Sequence, residues 1–360
     1  MFQNISKGTK ENYEENVQYE GESKLKDILK KNLTVQNCIM YALTLMLSLV
    51  GGKDSAIFTS IAPFGFAMVA ASVGARIPVA IVTLITLIGT TIKFGGNGLL
   101  FYILTLLIFL AFILIKRPIE DEDRNEQIKV GAPIAIAVLL VQVAKMVFKG
   151  FLLYDLAYSL MLAITTFILY KIFVNAITVF RDYKIKTAFS IEEVMGAGLM
   201  LAIAVNCLGS VSIFGFNLRN ILSILIVLVM GWKNGMLVGG TTGITIGTVI
   251  GILNGQDVTM LAAYAISGLI AGILNKLGKA GVIVGFIMGN IVLSYVANGN
   301  TIEVIKFQEI LIAALGLLAV PKTYKIKISD IISDEKLLPE TTTRTLEENK
   351  ETINKLASMS

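Results

Sequence analysis

GWKNGMLVGGTTGITIGTVIGILNG, residues 231–255, carries a glycine at every fourth position without a break: Gly231, Gly235, Gly239, Gly243, Gly247, Gly251 and Gly255. The next two apolar stretches repeat the spacing, with Gly268 and Gly272 and then Gly281, Gly285 and Gly289. In lipid there is little hydrophobic drive between helices, so small residues that let backbones approach supply the packing. Glycines four apart drift slowly around a helix of 3.6 residues per turn, giving an inclined groove suited to a neighbour crossing at an angle. The other use of glycine in such a place is a hinge or broken helix at a transport site. The spacing speaks for helix–helix contact, and the fold class it implies is all-α, a polytopic integral membrane bundle.

The rest of the chain agrees. Of 360 residues, 55% are hydrophobic and 16% charged, where a soluble domain holds about 45–50% and about 25%. The apolar residues fall in blocks at 34–51, 55–74, 77–93, 98–115, 130–148, 151–180, 193–214, 218–232, 235–253, 258–275, 280–297 and 304–320. Each approaches the roughly 20 residues that one helical crossing needs. Ten to twelve spans are expected, some tilted or re-entrant; 151–180 is long for one crossing and short for two. A soluble enzyme is excluded for most of the chain.

Three regions follow. Residues 1–33 form a polar tail with Lys24, Lys26, Lys30 and Lys31 before the first block; that order does not suit a cleaved signal peptide, so the tail is read as cytoplasmic. Residues 34–320 form the membrane domain, in halves 34–180 and 193–320. Residues 321–360 form a cytoplasmic linker and the start of a helical regulatory segment. There, Thr345 and Glu348 make a capping box, with Leu346, Ile353 and Leu356 as a narrow apolar stripe. Such a stripe suggests self-association or a chain that continues past Ser360.

Orientation follows from the bases. With a cytoplasmic N-terminus, Arg76, Lys116, Arg117, Arg181, Lys184, Lys186, Lys233, Lys276, Lys279, Lys322, Lys325 and Lys327 fall on the inner side. Lys53, Lys93, Lys149 and Arg219 fall on the other. The bias places both termini inside and makes the span count even. The net charge of +5 thus reflects topology and not nucleic-acid binding.

Absent residues limit the chemistry. The chain has no histidine, which removes Ser-His-Asp and Cys-His nucleophiles, histidine-ligated haem or zinc and histidine proton relays. Cys38 and Cys207 lie in separate blocks and read as buried small side chains. Gly278-Lys279-Ala280-Gly281 lacks the spacing of a P-loop. In the loop 116–129, Glu120-Asp121-Glu122-Asp123 could be taken for a metal site, but adjacent acids beside bases read as solvated loop. Ser190 with Glu193 reads as a capping box opening a helix.

Within the blocks, Pro63 is expected to kink the second span. Charges inside apolar blocks are the default places to seek function; the candidates are Lys145, Asp155 and Lys171, with Arg219 and Lys233 beside them. Lys145 and Asp155 could pair across a hairpin. Lysines and arginines near block ends can instead snorkel to the interface, and that reading is preferred.

SIAPFGFAMVAA (60–71), FSIEEVMGAGLMLAIA (189–204) and the glycine-rich 231–289 followed by LLAVPK (317–322) occur in an order that resembles the N-terminal membrane region of the stage II sporulation protein E family. The resemblance covers roughly residues 34–330. It implies an anchor at the polar division septum of a spore-forming bacterium, with a following cytoplasmic segment that associates with FtsZ and other septal division proteins. It also implies a C-terminal PPM-type serine/threonine phosphatase, acting upstream of forespore sigma-factor activation and holding Mn or Mg. The aspartates of that phosphatase cannot be mapped here: the chain has no Asp-Gly dipeptide. No catalytic residue, metal ligand or cofactor is therefore expected in these residues. The expected partners are the bilayer and further copies of the chain. The competing readings are a secondary transporter or substrate-binding membrane subunit, which Asp155 and Lys171 facing one cavity would favour, and an envelope or division scaffold with no attached enzyme.

Overall fold

In the computed structural model, the described residues are 34–52, 58, 61–75, 77–115, 126–150, 152–182, 190–213, 215–255, 258–298 and 304–321. The two polar tails, the run 120–123 and the linker positions Thr345, Leu346, Glu348, Ile353 and Leu356 lie outside them. The helices are α1 (Val35–Ser48), α2 (Pro63–Gly74), α3 (Val79–Ile115), α4 (Glu126–Lys149), α5 (Leu153–Asp182), α6 (Ile191–Asn206), α7 (Leu218–Asn254), α8 (Val258–Ile273), α9 (Gly278–Asn298) and α10 (Phe307–Ala319). A single 3-10 turn follows α6 (Cys207–Ser210), and another joins α8 to α9 (Leu274–Leu277). Two short antiparallel strands, β1 (Ser212–Ile213) and β2 (Phe216–Asn217), lead into α7.

Among the described residues, six helical stretches are long and apolar enough to cross a membrane: Val79–Ile115, Val130–Phe148, Leu153–Asp182, Glu192–Gly209, Leu218–Asn254 and Val258–Val296. Three shorter apolar helices accompany them, Val35–Ser48, Pro63–Val73 and Phe307–Ala319. Three of the long stretches are hairpins. In α7, the backbone leaves helical geometry at Gly235 (φ 81°, ψ −162°). Arg219 Nη1 then donates to Asn254 Oδ1 at 2.8 Å, although a straight helix would separate these residues by about 52 Å. In α3, Gly95 has the same geometry (φ 68°, ψ −168°), and the Tyr102 phenol lies beside Thr86 across the turn. Between α8 and α9 the reversal falls at Gly278 (φ 76°, ψ −158°). This corner of backbone space is essentially closed to residues with a Cβ. Each turn glycine stands two places after a lysine: Lys93, Lys233 and Lys276.

Splitting the hairpins gives twelve helical segments among the described residues, one for each apolar block. The fold is an all-α polytopic bundle. Segment ends gather at two levels. At one, Gln36 Nε2 donates to Arg181 O (2.9 Å), Arg181 Nη1 donates to Ala75 O (2.7 Å) and Lys279 Nζ donates to Leu318 O (2.9 Å). At the other lie Arg219, Asn206 and Asn254, with Cys207 in electrostatic reach of Lys93.

Packing follows residue size. Tyr102, Tyr170, Tyr264, Phe66, Phe173 and Phe286 are fully buried, and Phe66 stacks on Tyr102 with centroids 4.3 Å apart. Large apolar side chains on the outer faces, such as Leu84, Ile92, Leu107 and Leu237, are exposed, as a lipid-facing surface requires.

The structure corrects the expectations for Pro63 and for the cysteines. Pro63 does not kink a span: it is the first helical residue of α2 after an extended Ala62, where its missing N–H costs nothing. Of the described residues in the block 55–74, Phe58, Ile61 and Ala62 are outside the helix, which begins at Pro63. Among the described residues, Pro133 lies inside a helix, α4. Cys38 is not buried but exposed, and Cys207 is intermediate. From Leu153 the block 151–180 is one uninterrupted helix, the 30-residue α5, which runs on to Asp182. The Ser190 capping box is present, with Glu193 N–H donating to Ser190 Oγ (3.2 Å) and Ser190 N–H to the Glu193 carboxylate (2.9 Å).

Candidate functional site

The region with most unusual chemistry is the unit formed by α7, α8 and α9, with α10 against it. Its middle is held by glycine. The second arm of α7 (236–254) runs antiparallel to α8. A Cβ on Gly239 would lie 2.5 Å from the Gly268 carbonyl oxygen, one on Gly247 2.7 Å from Leu261 Cα, and one on Gly243 3.2 Å from Ala265 Cα. From the other side, a Cβ on Gly272 would meet Gly235 O and Met236 Cα at 2.5 Å. Helix α9 lies on α8 in the same way, with Gly285 2.8 Å from Ala271 Cα and Gly289 2.5 Å from Ser267 Cα by the same measure. Gly281 is closed by Leu274 O at 2.5 Å.

The remaining glycines of the repeat do other work. Gly231 makes ordinary contact with Gly272 at 3.5 Å. Gly235 is the hairpin turn itself, so the seven glycines do not lie on one continuous helix. Gly255 takes the left-handed conformation (φ 62°) that ends α7, its N–H donating to Gly251 O, and Gly251 is half-buried.

At one end, a polar cluster is buried of which the sequence reading singled out Arg219 alone. Arg219 is 6% exposed and Glu309 1%. Arg219 Nε donates to Asn220 Oδ1 (3.3 Å), and its Nη1 donates to Asn254 Oδ1 (2.8 Å) and Asn206 Oδ1 (3.5 Å). Asn254 Nδ2 donates in turn to Asn206 Oδ1 (3.1 Å). The Glu309 carboxylate accepts from Asn217 N–H (3.2 Å) and from Asn220 Nδ2 (2.9 Å). Asn220 therefore bridges cation and anion. A Cβ at Gly209 would stand 2.8 Å from Arg219 Nη1, so that glycine leaves the guanidinium its room. The buried Tyr264 hydroxyl lies within electrostatic range of both charges and has no hydrogen-bond partner among the described residues. Arg219 thus does not snorkel; it is drawn inward by three asparagines. A charge so buried is tolerated only when its hydrogen bonds are met.

At the opposite end, Trp232 gathers two cations. Lys233 Nζ stands 4.0 Å and Lys279 Nζ 5.0 Å from the ring centroid. Lys279 also donates to Leu318 O (2.9 Å) and Val320 O, the free carbonyls that close α10. The exit of the chain at Pro321 is thereby tied to the turns of the hairpins.

The other charges singled out from sequence, Lys145, Asp155 and Lys171, lie elsewhere and apart. Lys145 Nζ stands 5.0 Å over the Phe101 ring, and Lys171 Nζ 5.0 Å over Phe167 on its own helix. Asp155 is in the first turn of α5 and half-buried, while Lys171 is exposed. Sixteen residues along an unbroken helix separate Asp155 and Lys171 by about 24 Å, so the two do not face one cavity. Among the described residues, no group of three or more Cys, Asp or Glu side chains is placed to hold a metal ion.

Comparison with known proteins adds the following. The family described as SpoIIE, N-terminal domain, matches residues 3–329. Stage II sporulation protein E of Bacillus subtilis (strain 168) is 29% identical over 182 residues, 51% of this chain and 22% of that protein. The chain therefore spans about a fifth of the curated relative in the matched region. No solved structure matches.

Proposed function

Since the chain belongs to the SpoIIE N-terminal domain family, we propose that it is the membrane module that localises and oligomerises a sporulation-specific serine/threonine phosphatase at the polar septum. It is a SpoIIE-like multi-pass membrane region. In this proposal both termini face the cytoplasm and the module acts upstream of forespore sigma-factor activation. FtsZ and other septal division proteins are its partners there, and Mn or Mg belongs to a phosphatase domain beyond these residues.

The observation that carries the reading is the extent of the family match, residues 3–329, which takes in all twelve segments. Two features support it. Among the described residues, α1 begins and α10 ends at the same level of the bundle, as two cytoplasmic termini require. Among the described residues, the deeply buried charges Arg219 and Glu309 are neutralised within one hydrogen-bonded cluster at one end, which suits a scaffold better than a midplane transport site.

The test is localisation. A fluorescent fusion of residues 1–360, expressed in sporulating cells, is expected to gather as a band at the polar septum. Uniform fluorescence over the whole cell membrane would contradict the proposal and favour the transporter or a scaffold acting elsewhere.

A further inference from the structure

We infer that the rim formed by Trp232, Lys233, Lys276 and Lys279 is a docking surface for the phosphate of anionic phospholipids. Two turns build it: the reversal of α7 at Gly235 and that between α8 and α9 at Gly278. They are adjacent, since a Cβ on Gly235 would lie 3.3 Å from Asn275 Nδ2. Lys233 and Lys279 converge on one indole, 4.0 and 5.0 Å from its centre. Lys276 is exposed one place after Asn275.

The stretch of sequence that carries the rim is basic. Between Arg219 and Asn298 the sole acid in the sequence is Asp257, which follows α7 and is separated from Gly235 by that helix's whole second arm. On α6, which packs against α7, Glu192 and Glu193 stand in the first turn, and the Glu193 carboxylate accepts from Ser190 N–H. Lys279 spends two N–H donors on Leu318 O and Val320 O; an ammonium has three. Tryptophan settles at the headgroup level of a bilayer, so these cations are held where lipid phosphates are. Like charges brought together there gain from an anion between them. Each lysine near an anionic surface is expected to enrich the acidic lipid about fivefold.

This inference rests on the membrane reading but not on the septal one, and its test separates them. Trp232 is the single tryptophan of the chain, so its fluorescence reports this rim alone. The full chain is placed in nanodiscs of phosphatidylcholine containing the same small fraction of brominated lipid, either phosphatidylglycerol or phosphatidylcholine. Brominated phosphatidylglycerol is expected to quench Trp232 severalfold more strongly. The double variant K233Q/K276Q, which keeps Lys279 on its carbonyls, is expected to abolish the difference at unchanged elution volume. Equal quenching of the unaltered chain by the two lipids would overturn the inference, with no variant needed. Loss of the selectivity on adding millimolar inorganic phosphate would also overturn it, marking a site for free anions.

Discussion

Gly239 and Gly268 meet backbone to backbone: a Cβ on Gly239 would lie 2.5 Å from the carbonyl oxygen of Gly268. No side chain fits between the second arm of α7 and α8 at this level. Replacing Gly239 or Gly268 with leucine should push the two helices apart, at a cost above the roughly 1–3 kcal/mol of ordinary overpacking. Gly198 is also helical, but a Cβ there would meet nothing within 4 Å, and it serves as the control. Thermal unfolding in mild detergent should show a marked fall in midpoint for Gly239→Leu and Gly268→Leu. Gly198→Leu should stay near the parent.

The turn glycines fail for another reason. Gly95 and Gly278 have nothing within 4 Å of a Cβ, so alanine meets no clash there, only a forbidden backbone angle. Gly95→Ala and Gly278→Ala should each cost about 1–3 kcal/mol, with Gly96→Ala, equally open, near neutral. The comparison separates strain from crowding and is read from the same unfolding midpoints.

The buried cluster predicts non-additivity. Arg219→Leu strands Glu309 among apolar helices, and removal of one member of a buried pair costs about 3–5 kcal/mol. Glu309→Gln likewise leaves Arg219 without its counter-charge. The double variant Arg219→Leu/Glu309→Leu should be more stable than Arg219→Leu alone. A double-mutant cycle that proves additive would mean the two charges do not communicate through Asn220.

How much of this was legible beforehand depends on range. Block lengths and four-residue glycine spacing are local signals, and they lead to twelve helical segments and a glycine-rich unit. The turns were half-visible: Lys93-Phe94-Gly95, Lys233-Asn234-Gly235 and Lys276-Leu277-Gly278 share a pattern, but only the backbone reveals that each glycine reverses a hairpin. Pro63 misled because the residues before it are apolar enough to extend the block, although proline at a first helical position is the commoner arrangement. Glu309 stood in plain view as an acid inside the block 304–320. Its partners, Asn217 and Asn220, are 92 and 89 residues away, and no local pattern announces such a pairing.

The hairpin architecture is tested most directly by asking which turns reach water, and on which side. In a chain with Cys38 and Cys207 replaced by serine, single cysteines are placed at Asn97, just after the Gly95 turn, and at Lys276, before the Gly278 turn. A membrane-impermeant maleimide should label Asn97→Cys in intact cells and Lys276→Cys only after permeabilisation. If Asn97→Cys stays unlabelled from both sides, α3 is one straight span and not a hairpin. If Lys276→Cys is labelled in intact cells, the level of the bundle that holds the Gly278 turn does not face the cytoplasm, and the proposed orientation fails.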